Sequence, residues 1–220
     1  MLFRSDPVRA LQKDAKLNEK EKKELRRISG QLLWLTSNSR PDSAFDSCWV
    51  SNYGKEPTVK HLITANKAID KVKKDQVRIA FPHLGNPKYW EVLVYSDATH
   101  SSLPSGASQG AYIMFVKGGR RVSPVVWKSK ELDRVTKSPL ASGTMALAEA
   151  ADSGYYVAAY GVKCPVKCFT ENKSLKDHLE TSNIVSDLRV DELTWRALKK
   201  WLKLERLLLH GLKGSVSLLI

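Results

Sequence analysis

WEVLVYSDATHSS, Trp90 to Ser102, is the stretch on which the reading of this chain turns. WEVLVYS has the apolar, β-branched and aromatic content of a strand buried in a sheet. It runs directly into Asp97 and the turn formers of ATHSSLPSG. A carboxylate leaving the middle of a sheet between apolar neighbours is costly to desolvate unless a cation or a proton satisfies it. Asp97 therefore either binds a cation or caps a turn.

Working outward, a second strand is expected at Gln109–Val116 (QGAYIMFV) and a third at Pro124–Ser129 (PVVWKS). A long helical stretch follows from about Lys137 to Tyr160, then a short strand, Val166–Thr170 (VKCFT), ending at Glu171, and further helix. Three hairpin-connected strands, a helix crossing to a fourth strand, and helices again give the α/β order of the ribonuclease H-like fold, a mixed sheet flanked by helices.

The motifs support a closer resemblance. GQLLWLTSNSRPDSAFD (Gly30–Asp46), ANKAIDKVK (Ala65–Lys73), YSDATH (Tyr95–His100), SQGAYI (Ser108–Ile113), WKSK (Trp127–Lys130), KSPLASGTMAL (Lys137–Leu147) and FTENKSL (Phe169–Leu175) occur in that order. Together they resemble the C-terminal part of a Ty1/copia-type retrotransposon Pol polyprotein, where the tail of the reverse transcriptase runs into ribonuclease H. Each motif alone is short, and the strength lies in the set and its order. The polymerase's paired-aspartate motif is absent, so polymerisation by that mechanism is excluded.

The division expected is a charged N-terminal segment over 1–24, a helical reverse transcriptase tail or connection over 25–76, and a ribonuclease H-like domain over 77–220 with a divergent C-terminus. Residues through NEKEKKELRR carry little core material and read as a mobile segment or a solvated helix. Leu25, Ile28, Leu32, Leu33 and Leu35 fall at helical spacing up to the Ser-Asn-Ser-Arg-Pro cluster. A second helix is expected from Asp42 to about Tyr53, and a third from Thr58 to Lys73 with Thr58 as its cap. Lys60, Lys67, Lys71, Lys73, Lys74 and Arg78 make that third helix and its exit basic: a phosphate-facing surface or simply a solvated one. Pro82, Gly85 and Pro87 mark the boundary before the central strand.

The 220 residues carry a formal charge of +13, which points to a polyanionic partner, most simply nucleic acid. Cys48, Cys164 and Cys168 form no CxxC pair and no zinc spacing. No apolar run has the length of a membrane span, and the N-terminus lacks the apolar core of a signal peptide. The default setting is intracellular, cytoplasmic or nuclear.

What the resemblance implies chemically is cleavage of the RNA strand of an RNA–DNA hybrid by two divalent ions, Mg²⁺ or Mn²⁺. Such a pair needs several carboxylates converging on one sheet edge, because Mg²⁺ demands hard oxygen ligands in near-octahedral geometry. The family supplies four acids. Asp97 matches the first. The second, a glutamate early in the long helix, falls on Gly143. Glu149, six residues on, is rotated away and about 9 Å further along the axis, a poor substitute. At the third, Glu171 stands in place of aspartate. The fourth is not found: Asp191 matches a different aspartate of the family, Asp187 is another turn acid, and the tail KLERLLLHGLKGSVSLLI departs from the family.

Asp97 and Glu171 are thus the remnant catalytic and metal-ligating pair, and Lys128, Lys130, Arg134, Lys137 and Lys173 are the expected nucleic-acid contacts. His100 lies beside the first acid without an assigned role. Three readings follow: a retrotransposon-derived hybrid-binding domain with lost or impaired hydrolysis; an active metal-dependent ribonuclease H that recruits Glu149 or Asp152; and a partner-binding module. The last would use the basic amphipathic stripe of Trp195, Leu198, Trp201, Leu202, Leu208 and Leu209 with Arg196, Lys199, Lys200, Lys203 and Arg206.

Overall fold

The computed structural model describes residues 7–54, 56–75, 77–175 and 177. The acids Asp187 and Asp191, the stripe around Trp195–Arg206 and the terminal SVSLLI lie outside the described residues. The chain forms two compact units: the described part of Met1–Ile79 with Ser102–Ala107 and Lys128–Glu131, and Ala80–Ser101 with Ser108–Trp127 and the described residues from Leu132 on.

In the helical unit, α1 (Pro7–Leu11), α2 (Glu19–Asn38), α3 (Ala44–Ser51) and α4 (Val59–Lys74) supply the elements, with a 3₁₀ turn at Pro41–Ser43 before α3. Part of the N-terminal charge is satisfied within the protein: Arg9 pairs with Glu21, Lys22 with Glu19 and Lys16 with Glu56, while Lys13, Asp14, Lys20 and Lys23 are exposed. The Asn18 side chain caps α2 by accepting from the Glu21 N–H at 2.9 Å, and Glu21 accepts in return from the Asn18 N–H at 2.9 Å. The same buried carboxylate takes two hydrogen bonds from Arg9, each 2.9 Å. Leu17 N–H donates to Pro57 O at 3.0 Å and Val59 N–H to Ala15 O at 3.0 Å, pinning this segment to the start of α4.

Leu25, Ile28 and Leu32 form the buried stripe of α2, packed with Val50, Val59, Leu62, Ala65 and Ala68. Leu33, expected within that stripe, is 54% exposed, since one helical step from Leu32 rotates it about 100° off the core. The Arg-Pro-Asp of the resemblance has a structural task. Arg40 donates to both Asp42 oxygens, at 2.9 and 2.8 Å, and to the Val72 carbonyl at 2.8 Å near the end of α4. That contact supplies a donor to a carbonyl in the last turn of α4, where the helix itself runs out of them.

The sheet unit holds β1 (Trp90–Thr99), β2 (Gln109–Gly118), β3 (Arg121–Glu131) except its end Lys128–Glu131, α5 (Pro139–Val157) and β4 (Val166–Thr170). The strand order is β3-β2-β1-β4, with β1 antiparallel to β2 and parallel to β4. A three-strand meander, a helix and a parallel fourth strand beside the first make this an α/β mixed sheet of ribonuclease H-like topology. Val92, Val94, Met114, Val116 and Cys168 pack with Leu147, Ala150 and Ala151 of α5. The small residues of α5 allow close approach: a Cβ on Gly154 would lie 2.7 Å from Val94 Cγ2. The helix ends at Val157 rather than Tyr160, turning through a π-helical segment at Ala158–Val162 into Lys163, whose φ is 50°.

On the opposite sheet face Glu91 bridges three strands, accepting from Lys117 at 2.6 Å and pairing with Lys167 at 2.5 Å. Burial pushes its carboxyl up, but the two lysines outweigh this and the net shift is downward. A carboxylate with a depressed folded pKa contributes stability that is complete above its unfolded value near 4.3 and is lost as pH falls through the lower folded value. Glu91→Gln is therefore expected to shrink the difference in melting temperature between pH 6 and pH 3. An unchanged difference would mean that the triad does not hold the three strands together.

Candidate functional site

The three elements that would carry the acids meet at one end of the sheet unit, where β1, β4 and the first turns of α5 lie together. Asp97 is not a strand-end residue. β1 continues through it to Thr99, and Asp97 pairs with Ala111. Ser96 pairs with Thr170 as the last step between β1 and β4, so Asp97 and Glu171 each directly follow that pair, Asp97 still within β1 and Glu171 in the bend just past the end of β4. Both are exposed. One Asp97 oxygen accepts from the Ala98 N–H at 2.7 Å, a local turn-like contact.

Alternation along β1 sets the direction of Asp97. Val92 and Val94 pack under α5, and Gly110, the partner of Ala98, sits so that a Cβ would come within 3.3 Å of Ala146 Cβ on that helix. Ser96 and Ala98 thus share the α5 face, and Asp97 shares the other face with Tyr95, which stacks on Phe169 at 4.5 Å between centroids. Gly143, by contrast, is buried, and a Cβ there would stand 2.8 Å from Asn172 Nδ2. Asn172 is itself held: its Oδ1 accepts from the Leu175 N–H at 3.0 Å, and its N–H donates to Thr170 Oγ1 at 3.3 Å. The carboxamide occupies the space into which a side chain at 143 would grow.

Among the described residues this donor set falls short of a two-ion centre: of the four acids of the resemblance Asp97 and Glu171 are present, the Asn172 amide stands against Gly143, and no three His, Cys, Asp or Glu side chains gather to hold a metal ion. Glu149 and Asp152 do not repair it. The Asp152 carboxyl is pushed up, first by desolvation and then by Glu149 nearby, so the pair disfavours full ionisation.

A hydroxyl nest lies at the start of α5. His100 Nδ1 lies 3.3 Å from the hydroxyls of Ser108, Thr136 and Ser142 alike. Ser108 and Thr136 are 2.6 Å apart, and Thr136 and Ser142 2.7 Å. All three hydroxyls are buried. The nest ties the turn after β1 to the start of α5, so His100 Nδ1 is engaged inside the protein. Sequence reading missed it because its members are scattered over Ser/Thr-rich loops with no fixed spacing.

The basic candidates divide between the units. Lys128 and Lys130 stand on β3 within the part that clusters with the helical unit, whereas Arg134, Lys137 and Lys173 belong to the sheet unit. Lys137 precedes the α5 cap Ser138, and Lys173 follows Glu171 by two residues; both are exposed.

No family model matches the chain. It is 28% identical over 113 residues to a putative transposon Ty5-1 protein of Saccharomyces cerevisiae, a match spanning 51% of this chain and 35% of the relative. The chain thus spans about a third of that protein's length. Among solved structures it is similar to ribonuclease H1 from the halophilic archaeon Halobacterium salinarum, with a TM-score of 0.36 and 17% identity over 56% of this chain and 80% of the other. It is also similar to the prototype foamy virus protease-reverse transcriptase, with a TM-score of 0.35 and 15% identity over 60% of this chain and 18% of that one. The relative is a transposon protein, in keeping with the retrotransposon resemblance. No described helix is long and apolar enough to cross a membrane.

Proposed function

We propose that the sheet unit is a retrotransposon-derived ribonuclease H-like domain that holds RNA–DNA hybrid or duplex backbones and has lost or impaired hydrolysis. The observation that carries this is the Asn172 amide lodged against Gly143, where the resemblance puts a glutamate. With Asp97 and Glu171 alone, a divalent-ion site has about half of its intended negative charge and is weak at cellular Mg²⁺. The net charge of +13 supports retained backbone binding, in which Lys and Arg hold phosphates without reading sequence.

The test is a labelled RNA–DNA hybrid mixed with the full chain in Mg²⁺ and separately in Mn²⁺. Salt-sensitive binding without cleavage is expected, unchanged in Asp97→Asn. Cleavage that Asp97→Asn abolishes would establish the alternative, an active metal-dependent ribonuclease H. Gly143→Glu alone is expected to remain inactive. The new side chain must displace the Asn172 carboxamide, and it starts from the α5 face while Asp97 lies on the other. A gain of cleavage in Gly143→Glu would show that one missing carboxylate was the whole defect.

A further inference from the structure

In the helical unit, a groove of about 780 Å³ runs between α2 and α4. Its floor is apolar, formed by Ile28, Leu35, Ile69 and Val72. One wall is the row Arg26, Gly30, Trp34, spaced four residues apart and so stacked on a single helical ridge. Trp34 is 66% exposed, an uncommon state for the largest apolar side chain. Gly30 sits inside α2, where glycine is disfavoured, yet a Cβ there would meet nothing within 4 Å. Packing thus gives no reason for a glycine, and its effect is a bare notch beside the indole. Neither Arg26 nor Lys73 on the facing rim makes a salt bridge among the described residues, while Glu24 is taken up by Arg27 at 2.5 Å.

We propose that this groove binds single-stranded nucleic acid, with a base stacked on Trp34 over the Gly30 notch and flanking phosphates on Arg26 and Lys73. A flat indole beside open backbone suits a flat ring, and two cations at the rim that make no salt bridge among the described residues suit a polyanion. The combination of an aromatic platform and a basic track is what sequence-tolerant single-strand binding requires. Asn66 lines the same groove and has no hydrogen-bond partner among the described residues, so its carboxamide is available to a base edge. The site is independent of the reading of the sheet unit, since all of its residues lie within Met1–Ile79.

The test uses the full chain and two probes of equal charge, a fluorescein-labelled oligothymidylate 20-mer and an abasic 20-mer, read by anisotropy. The wild type is expected to bind the oligothymidylate roughly five- to a hundredfold more tightly than the abasic strand, the range that stacking of a base provides. Trp34→Ala is expected to erase that preference and Trp34→Phe to retain part of it. Arg26→Gln with Lys73→Gln is expected to weaken both probes alike. Circular dichroism checks the fold, which an exposed side chain leaves intact. A preference that survives Trp34→Ala, or no preference in the wild type, overturns the proposal. So does a wild-type dimer that Trp34→Ala converts to a monomer, since the groove would then take a second copy of the chain. Hybrid binding unchanged in these variants separates the outcome from that of the sheet unit.

Discussion

Replacing Gly154 by leucine is expected to lower the melting temperature of the sheet unit strongly and leave the hydrogen-exchange protection of α2 and α4 in place. At Gly154 α5 comes close to the sheet. A Cβ there would meet Val94 Cγ2 at 2.7 Å and Val166 Cγ1 at 3.2 Å, on two adjacent parallel strands. Val94 is fully buried, and valine is stiff at χ1, so neither contact is the yielding tip of a long side chain. Overpacking typically costs about 1–3 kcal/mol and more when backbone must move. Leucine adds three carbons beyond the Cβ that already clashes, so the cost falls at or above that upper end, against a typical domain stability of about 5–15 kcal/mol. Gly154→Ala should lower the melting temperature by less. A leucine variant that melts like the wild type would mean that α5 stands further from β1 than described.

That close approach was not legible in SGTMALAEAADSG, where the run of small residues marks a buried helix but not which glycine touches the sheet. The strands were easier, because apolar content and turn formers bracket each of them, and β4 falls where VKCFT puts it. The face of Asp97 was harder for a physical reason. Val92, Val94 and Ser96 on one parity of β1, and Leu93 and Tyr95 on the other, are too alike in polarity for period-two alternation to assign the core side. Only Gly110 against Ala146, and the packing of Val92 and Val94, assign it. The Arg9–Glu21 pair was illegible in the same way, since its members stand twelve residues apart, beyond any local pattern. Gly143 was legible as a missing acid, whereas its closure by Asn172 required the parallel pairing of β1 with β4 that brings the end of β4 beside α5.

Changing Lys128, Lys130, Arg134, Lys137 and Lys173 together to glutamine is expected to flatten the salt dependence of hybrid binding. Each neutralised phosphate contributes about 0.9 to the slope of log affinity against log salt, so five contacts account for roughly 4.5, or about five-hundredfold between 50 and 200 mM salt. The five are not equivalent. Lys128, Lys130 and Arg134 each already interact within the protein, and meeting a phosphate means exchanging that partner. Lys137 and Lys173 make no ion pair among the described residues, are exposed, and flank the start of α5 and the end of β4. The double variant Lys137→Gln, Lys173→Gln is therefore expected to lower the slope by about 1.8, close to the full value for two contacts. The triple variant of the other three should lower it by less than its count. Equal loss per residue would mean that the internal partners cost nothing to exchange. No loss from the double variant would move the backbone-binding surface away from the Asp97–Glu171 edge altogether.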